Sequence, residues 1–244
     1  MTVAPSVEKS VQEQPRTWAY WLDPTRIPAH IWIIAVILLL VPTFTSEFTQ
    51  YQIFGWAFIL GMISLSLMIL AGYGGMVSLV QMTAAASAGY AIAIFGTSAV
   101  TEISFAWPWA IAVIIAIFAS VLVCVISGAL AIRTEGIYTI MITLAIGSAF
   151  FYFTRQNYSV FNGFTGFNGV QTPVLFGVNW KEPTPFYYLT LGISALSYWF
   201  TKHLARTPFG LALQGVRDNP RRMAAMGFSV NAHRLAAYAI AGVI

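Results

Sequence analysis

The chain has 244 residues, 58% of them hydrophobic and only 8% charged, against roughly a quarter charged in ordinary soluble domains. So few charges cannot cover a soluble surface of this size, so lipid must solvate most of the exterior. The net charge of +4 does not imply nucleic acid, because the basic residues lie between hydrophobic segments and form no continuous basic face.

Residues 1–28 are polar, carry both signs of charge and contain Pro5, Pro15, Pro24 and Pro28. They read as a cytoplasmic tail, without the basic region, apolar core and small-residue cleavage site of a secretory signal. Residues 29–244 read as one transmembrane domain. A short first span is expected at 31–46, ahead of and around Pro42. Residues 48–101 then carry no formal charge; as one helix they would be about 80 Å long, far more than the ~30 Å hydrocarbon core. They must cross twice. The natural break is Gly72-Tyr73-Gly74-Gly75, giving spans near 51–71 and 77–98. Further spans are predicted at 107–131, 137–154 and 186–201. A last apolar stretch, Leu235 to Ile244, is too short to cross as a helix, which needs about twenty residues, and is expected to be a truncated seventh span. The fold class is therefore all-α: a polytopic helical bundle of about six complete spans plus that seventh.

Orientation follows from charge. With the amino terminus inside, six crossings leave only Arg155 and Lys181 of the twelve Lys and Arg residues outside, as the positive-inside rule requires. Residues 155–185 are then an external loop and residues 202–233 a cytoplasmic one.

Three stretches are candidates for function. The first, residues 71–90, combines Gly72, Tyr73, Gly74 and Gly75 with Ser78, Gln81, Thr83 and a run of Ala and Ser. It is either a tight helix-packing face or a broken helix lining a solute path, and Gln81 at membrane depth needs a polar partner or water. The second, FNGFTGFNG at 161–169, includes Asn162, Gly163, Thr165, Gly166 and Gly169. It is a turn-rich loop, the mouth of a path or a docking surface for a soluble protein. The third, residues 207–230, predicts a short helix with Asn219 as N-cap, Pro220 at its first position and Gly227 as its stop. Arg217, Asp218, Arg221, Arg222, Met223, Ala224, Ala225 and Met226 surround it. Two Met and two Ala suit packing into a groove, and the arginines suit carboxylates.

Enzyme chemistry has no support. There is no GxxxxGK[ST], HExxH or CxxC, and His30, His203 and His233 lie far apart near membrane boundaries. The one cysteine, Cys124, sits in an apolar run and reads as a small buried hydrophobe. No predicted span carries a charge at its middle, which argues against a proton-coupled transporter.

The blocks LAGYGGMVSLVQ, ALAIRTEGIYTIMITLAIG and TPFGLALQGVRDNPRRMAAMGFSV, taken together and in this order, resemble the branched-chain amino-acid ABC transporter permease family, most closely its M-type subunit. The similarity runs from about residue 50 to the end. It implies a permease of the bacterial inner membrane, importing branched-chain or related amino acids. Its implied partners are a second homologous permease, cytoplasmic ATPase subunits that carry the ATP and Mg chemistry, and a periplasmic or extracellular solute-binding protein. No cofactor is implied for this chain. MAAMG resembles the coupling loop of importer permeases, a Glu-Ala-Ala stretch followed by Gly, with Ala224, Ala225 and Gly227 at motif positions and Met223 where other importers often have Glu. FTGFNG resembles a family stretch that more often reads TGGxxG. A urea or sugar permease of the same superfamily is the nearest alternative, and a non-ABC membrane protein a more distant one.

Overall fold

The computed structural model describes residues 29–244 except 101, 135, 172, 173, 176 and 177. The polar segment 1–28 lies outside the described residues. Two compact units divide at Ser46 and Glu47. The described part of the first is helix α1, Ala29–Phe44, with Pro42 in its last turn. Ile33, Ile34, Val36, Ile37, Leu39 and Leu40 are all about half exposed, so this helix is apolar on every side, as a lipid-facing helix is.

The second unit, Glu47–Ile244, is helical but for one two-residue ladder. Helix α2, Thr49–Tyr73, is 25 residues long and begins and ends in π-helical turns, Thr49–Gly55 and Ile69–Tyr73. Helix α7, Pro183–Leu204, lies along it. A Cβ on Gly55 would fall 2.6 Å from the Phe186 ring, and Phe54 and Phe58 both meet the buried Tyr187 edge-on, at 5.7 and 5.6 Å.

The centre is built from small side chains. Helix α4, Trp109–Ala131, buries Ala112, Ala116, Ser120, Cys124, Ser127, Gly128 and Ala131, a single stripe at helical spacing. Helices α3, Gln81–Phe95, and α10, Val230–Val243, both pack against α4. Such stripes let backbones approach closely where no hydrophobic effect separates helix from lipid. Gly242 packs on Val121 and Cys124, and Ser66 of α2 donates to the Ala241 carbonyl at 2.7 Å. Helix α5, Ile137–Gln156, lies at the edge of the bundle, with Tyr138, Met141, Leu144, Phe151 and Tyr152 exposed.

Helices α2, α4 and α5 are long and apolar enough to cross a membrane. The expected span at 77–98 is shorter as a helix: α3 begins only at Gln81 and has 15 residues, about 22 Å at ~1.5 Å per residue. The seventh apolar stretch is α10, 14 residues with Ala237, Tyr238, Ala241 and Gly242 buried. The external loop holds a short helix α6, Tyr158–Phe161, and an antiparallel pair, β1 Val174–Leu175 with β2 Val178–Asn179. The segment between α7 and α10, expected to be a cytoplasmic loop, holds two helices, α8 Pro208–Asp218 and α9 Pro220–Ala225.

Candidate functional site

The glycine break is a real interruption. Residues 75–80 are not helical, and their burial alternates: Met76, Ser78 and Val80 are buried while Val77 and Leu79 are exposed, the period of an extended chain. Gly75 has φ +68°, a left-handed angle that costs other residues roughly 1–2 kcal/mol. Backbone groups freed from a helix at membrane depth need partners, and several are supplied. Gly74 and Met76 donate to the Ile69 and Leu70 carbonyls at 3.1 and 2.9 Å. Leu79 donates to Thr143 Oγ1 of α5 at 3.2 Å, and Val80 to Ser78 Oγ at 3.4 Å. The Gly72 carbonyl accepts from Arg217 Nη1 at 2.5 Å.

Gln81 differs from its neighbours. It is only 6% exposed, yet neither its amide oxygen nor its nitrogen has a hydrogen-bond partner among the described residues. An unmatched buried group of this kind costs about 1–3 kcal/mol. Residues 71–90 present two faces, one packed and one on a cleft. Ala84, Ser87 and Ala91 are buried in the packed centre, while Leu79, Met82, Thr83, Ala86 and Tyr90 line a cleft of about 430 Å³ between α3 and α5. Across it lie Leu144, Gly147, Ser148, Phe150 and Thr154. Gly147 allows close approach, since a Cβ there would sit 3.1 Å from Thr83 Oγ1. The lining offers hydroxyls and apolar walls, and no ionisable carboxylate or cation.

The external loop closes over the Tyr90 end of α3. Tyr90 meets Phe150, Phe161 and Phe167 edge-on at 6.4, 5.1 and 6.3 Å. The Ala99 amide donates to Asn168 and the Gln171 amide to Thr97, at 3.1 and 2.9 Å. Gly163, Gly166 and Gly169 all have φ between +52° and +63°, which accounts for their spacing as turn positions. Asn162, also left-handed, donates through Nδ2 to the Gly166 carbonyl at 2.7 Å. Thr165 is exposed. Arg155 lies 4.9 Å from the ring centres of both Phe151 and Phe164.

Between α8 and α10, α9 has the expected caps. Asn219 Oδ1 accepts from the Arg222 amide at 3.0 Å, and Pro220 occupies the first helical position. Gly227, φ +89°, ends the helix, with Gly227 and Phe228 donating to the Ala224 and Met223 carbonyls at 3.0 and 3.1 Å, a paired C-terminal motif. Arg221, Arg222, Ala224, Ala225 and Met226 are exposed. Met223 is not: it is buried with Ala212, Val216 and Val230 and lies against Gly215. The expected pair of methionines for a partner groove is thus reduced to Met226. Arg217 closes α8, with Nη1 on Gly72, and Nε and Nη2 on Asp218 Oδ1, both at 2.9 Å.

A family model described as the permease component of branched-chain amino acid transport systems matches residues 50–244. The chain belongs to this family. No match was found among the curated proteins or among the solved structures. The match starts where the resemblance does, and it includes the break, the cleft, the loop 155–185 and helices α8 and α9 of this membrane permease.

Several residues of the permease carry more than its sequence disclosed. Thr143, Gly147 and Tyr90 gave no motif; only the packing of α5 on α3 selects them. Helix α8 was missed, although Phe209, Ala212, Leu213 and Val216 recur at helical spacing; Thr207 caps it by accepting from the Gly210 amide. Of the histidines, His203 stacks on Trp199 and His233 on Phe209, and the side chain of His30 lies outside those described.

Proposed function

We propose that this permease is the membrane-spanning subunit of an ATP-driven importer for branched-chain or related amino acids. It sits in a bacterial inner membrane with its amino terminus, including tail 1–28, in the cytoplasm. It works with a second homologous permease, cytoplasmic ATPases that bind ATP and Mg, and an external solute-binding protein facing loop 155–185. The observation that carries this reading is α9. It is capped at both ends and presents Arg221, Arg222, Ala224, Ala225 and Met226 outward, a small apolar patch between guanidinium groups that suits an acidic-rimmed groove on a partner.

The cleft supports the solute class. Walls of Leu79, Met82, Leu144 and Phe150 match an apolar side chain, and the hydroxyls of Thr83, Ser148 and Thr154 match the polar atoms of an amino acid. A sugar would meet too few polar partners there, and urea would leave the apolar walls unused. Gln81, beside Met82 and Thr83 in the chain, has an unsatisfied amide to offer to the solute or its water. Transport runs by alternating access: partner ATPases close on ATP, residues 202–233 move with them, and the helices reopen to the other side.

The test is affinity purification of the protein from native membranes in mild detergent, with mass spectrometry and labelled leucine uptake. The proposal expects a second permease and an ATPase to co-purify, and valine and isoleucine to compete for uptake. Recovery of the protein alone, under conditions that hold a known importer together, contradicts it. Competition by urea or a sugar instead moves the solute to that class.

A further inference from the structure

Helix α8 joins two places that the sequence keeps 145 residues apart. At its end, Arg217 Nη1 donates to the Gly72 carbonyl at 2.5 Å, one of the carbonyls of the last turn of α2, where the α-helical pattern has already given way to a π-turn. The alkyl stem of Arg217 lies over Gly75, where a Cβ would fall 2.5 Å from Arg217 Cγ. The guanidinium is held from behind by Asp218. The next residue, Asn219, caps α9. Partner-facing helix, cap, carboxylate, guanidinium and broken helix are thus in sequence, each touching the next. Beyond the break, Leu79 is tied to Thr143 on α5, and Leu79 itself lines the cleft.

We infer that Arg217 is the positioning residue through which movement of the cytoplasmic helices reaches the solute cleft, an inference that rests on the importer reading above. Two features make the site suited to this role. A π-turn followed by glycine gives this end of α2 backbone freedom that a regular α-helical end lacks. Arginine grips it in two ways at once, by a charge-assisted hydrogen bond to a carbonyl and by stem packing on a residue without a side chain. A displacement of α9 therefore reaches the Gly72–Gly75 segment through Arg217, beside the contact that Leu213 of α8 makes with the α4–α10 centre. Arg217 acts through the backbone and touches no solute.

The test uses the whole importer purified from native membranes, comparing wild type, Arg217→Ala, Arg217→Lys and Asp218→Asn. Co-purified ATPase, ATP hydrolysis and leucine uptake are measured in the same vesicles. Arg217→Ala is expected to keep its ATPase bound and hydrolysing while uptake per ATP falls roughly fivefold or more, the lower end of ordinary coupling between sites. Arg217→Lys recovers part of that loss, because its ammonium still reaches a carbonyl. Asp218→Asn, at an exposed position (66% side-chain exposure), reproduces a smaller loss without endangering folding. Wild-type uptake per ATP in both Arg217→Ala and Asp218→Asn overturns the inference. Loss of the ATPase from Arg217→Ala also overturns it, making Arg217 a docking residue. An importer reading that is itself wrong shows differently, as a wild-type protein that brings down no ATPase.

Discussion

Tyr238 lies across Gly128 so closely that a Cβ on the glycine would fall 2.6 Å from the tyrosine Cγ and 2.9 Å from its Cβ. The contact locks α10 to α4 at the centre of the bundle. Gly128→Ala forces backbone or ring to move, which in a packed core costs about 1–3 kcal/mol. A lower melting temperature in detergent is expected, with Gly61→Ala, where nothing lies within 4 Å, unchanged as the control.

Gln81 carries a buried amide without a hydrogen-bond partner among the described residues. Replacing its unmatched amide by an apolar side chain of similar size removes a desolvation cost of about 1–3 kcal/mol. Gln81→Leu is therefore expected to melt higher than wild type while leucine uptake falls. A variant that melts lower, or transports normally, removes Gln81 from the path.

Tyr90 fastens the external loop. Each aromatic pair is worth about 0.5–1.5 kcal/mol beyond burial, and Tyr90 makes three. In Tyr90→Ala the amides of residues 161–171 should exchange with solvent faster, measured by hydrogen exchange, while Tyr90→Phe should keep the wild-type rate. The hydroxyl makes no part of the argument.

Arg222 faces outward on α9 and is expected to meet acidic groups of the ATPase. Arg222→Glu places repulsion where complementarity is proposed, so less ATPase should co-purify, and the deficit should shrink at high salt. Unchanged co-purification counts against the docking surface.

The outline of this protein was legible because charge and glycine mark it. Glu47 and Glu102 bound a run too long for one crossing, and the break between its two halves opens at Gly74 and Gly75, the end of the expected segment, and runs on to Val80. The α9 helix was legible from Asn219, Pro220 and Gly227, since capping is local chemistry. What escaped the sequence is long-range. Met223 has the same character as Met226, and only the packing of α8 decides that one is buried. The late start of α3 depends on Thr143, which satisfies Leu79 from another helix and so makes an unwound segment tolerable. Arg217 stands among the candidates around the short helix, but its partner, the Gly72 carbonyl, lies on a different helix.

The proposal that α9 docks an ATPase is open to one direct measurement. Cys124 is the sole cysteine and is fully buried, so Met226→Cys introduces a single reactive thiol at a position 57% exposed. In native membranes carrying the whole importer, a short bifunctional crosslinker should join residue 226 to the ATPase subunit, with a yield that changes on adding ATP. A thiol that reacts with small reagents but never crosslinks to an ATPase, with or without ATP, contradicts the account.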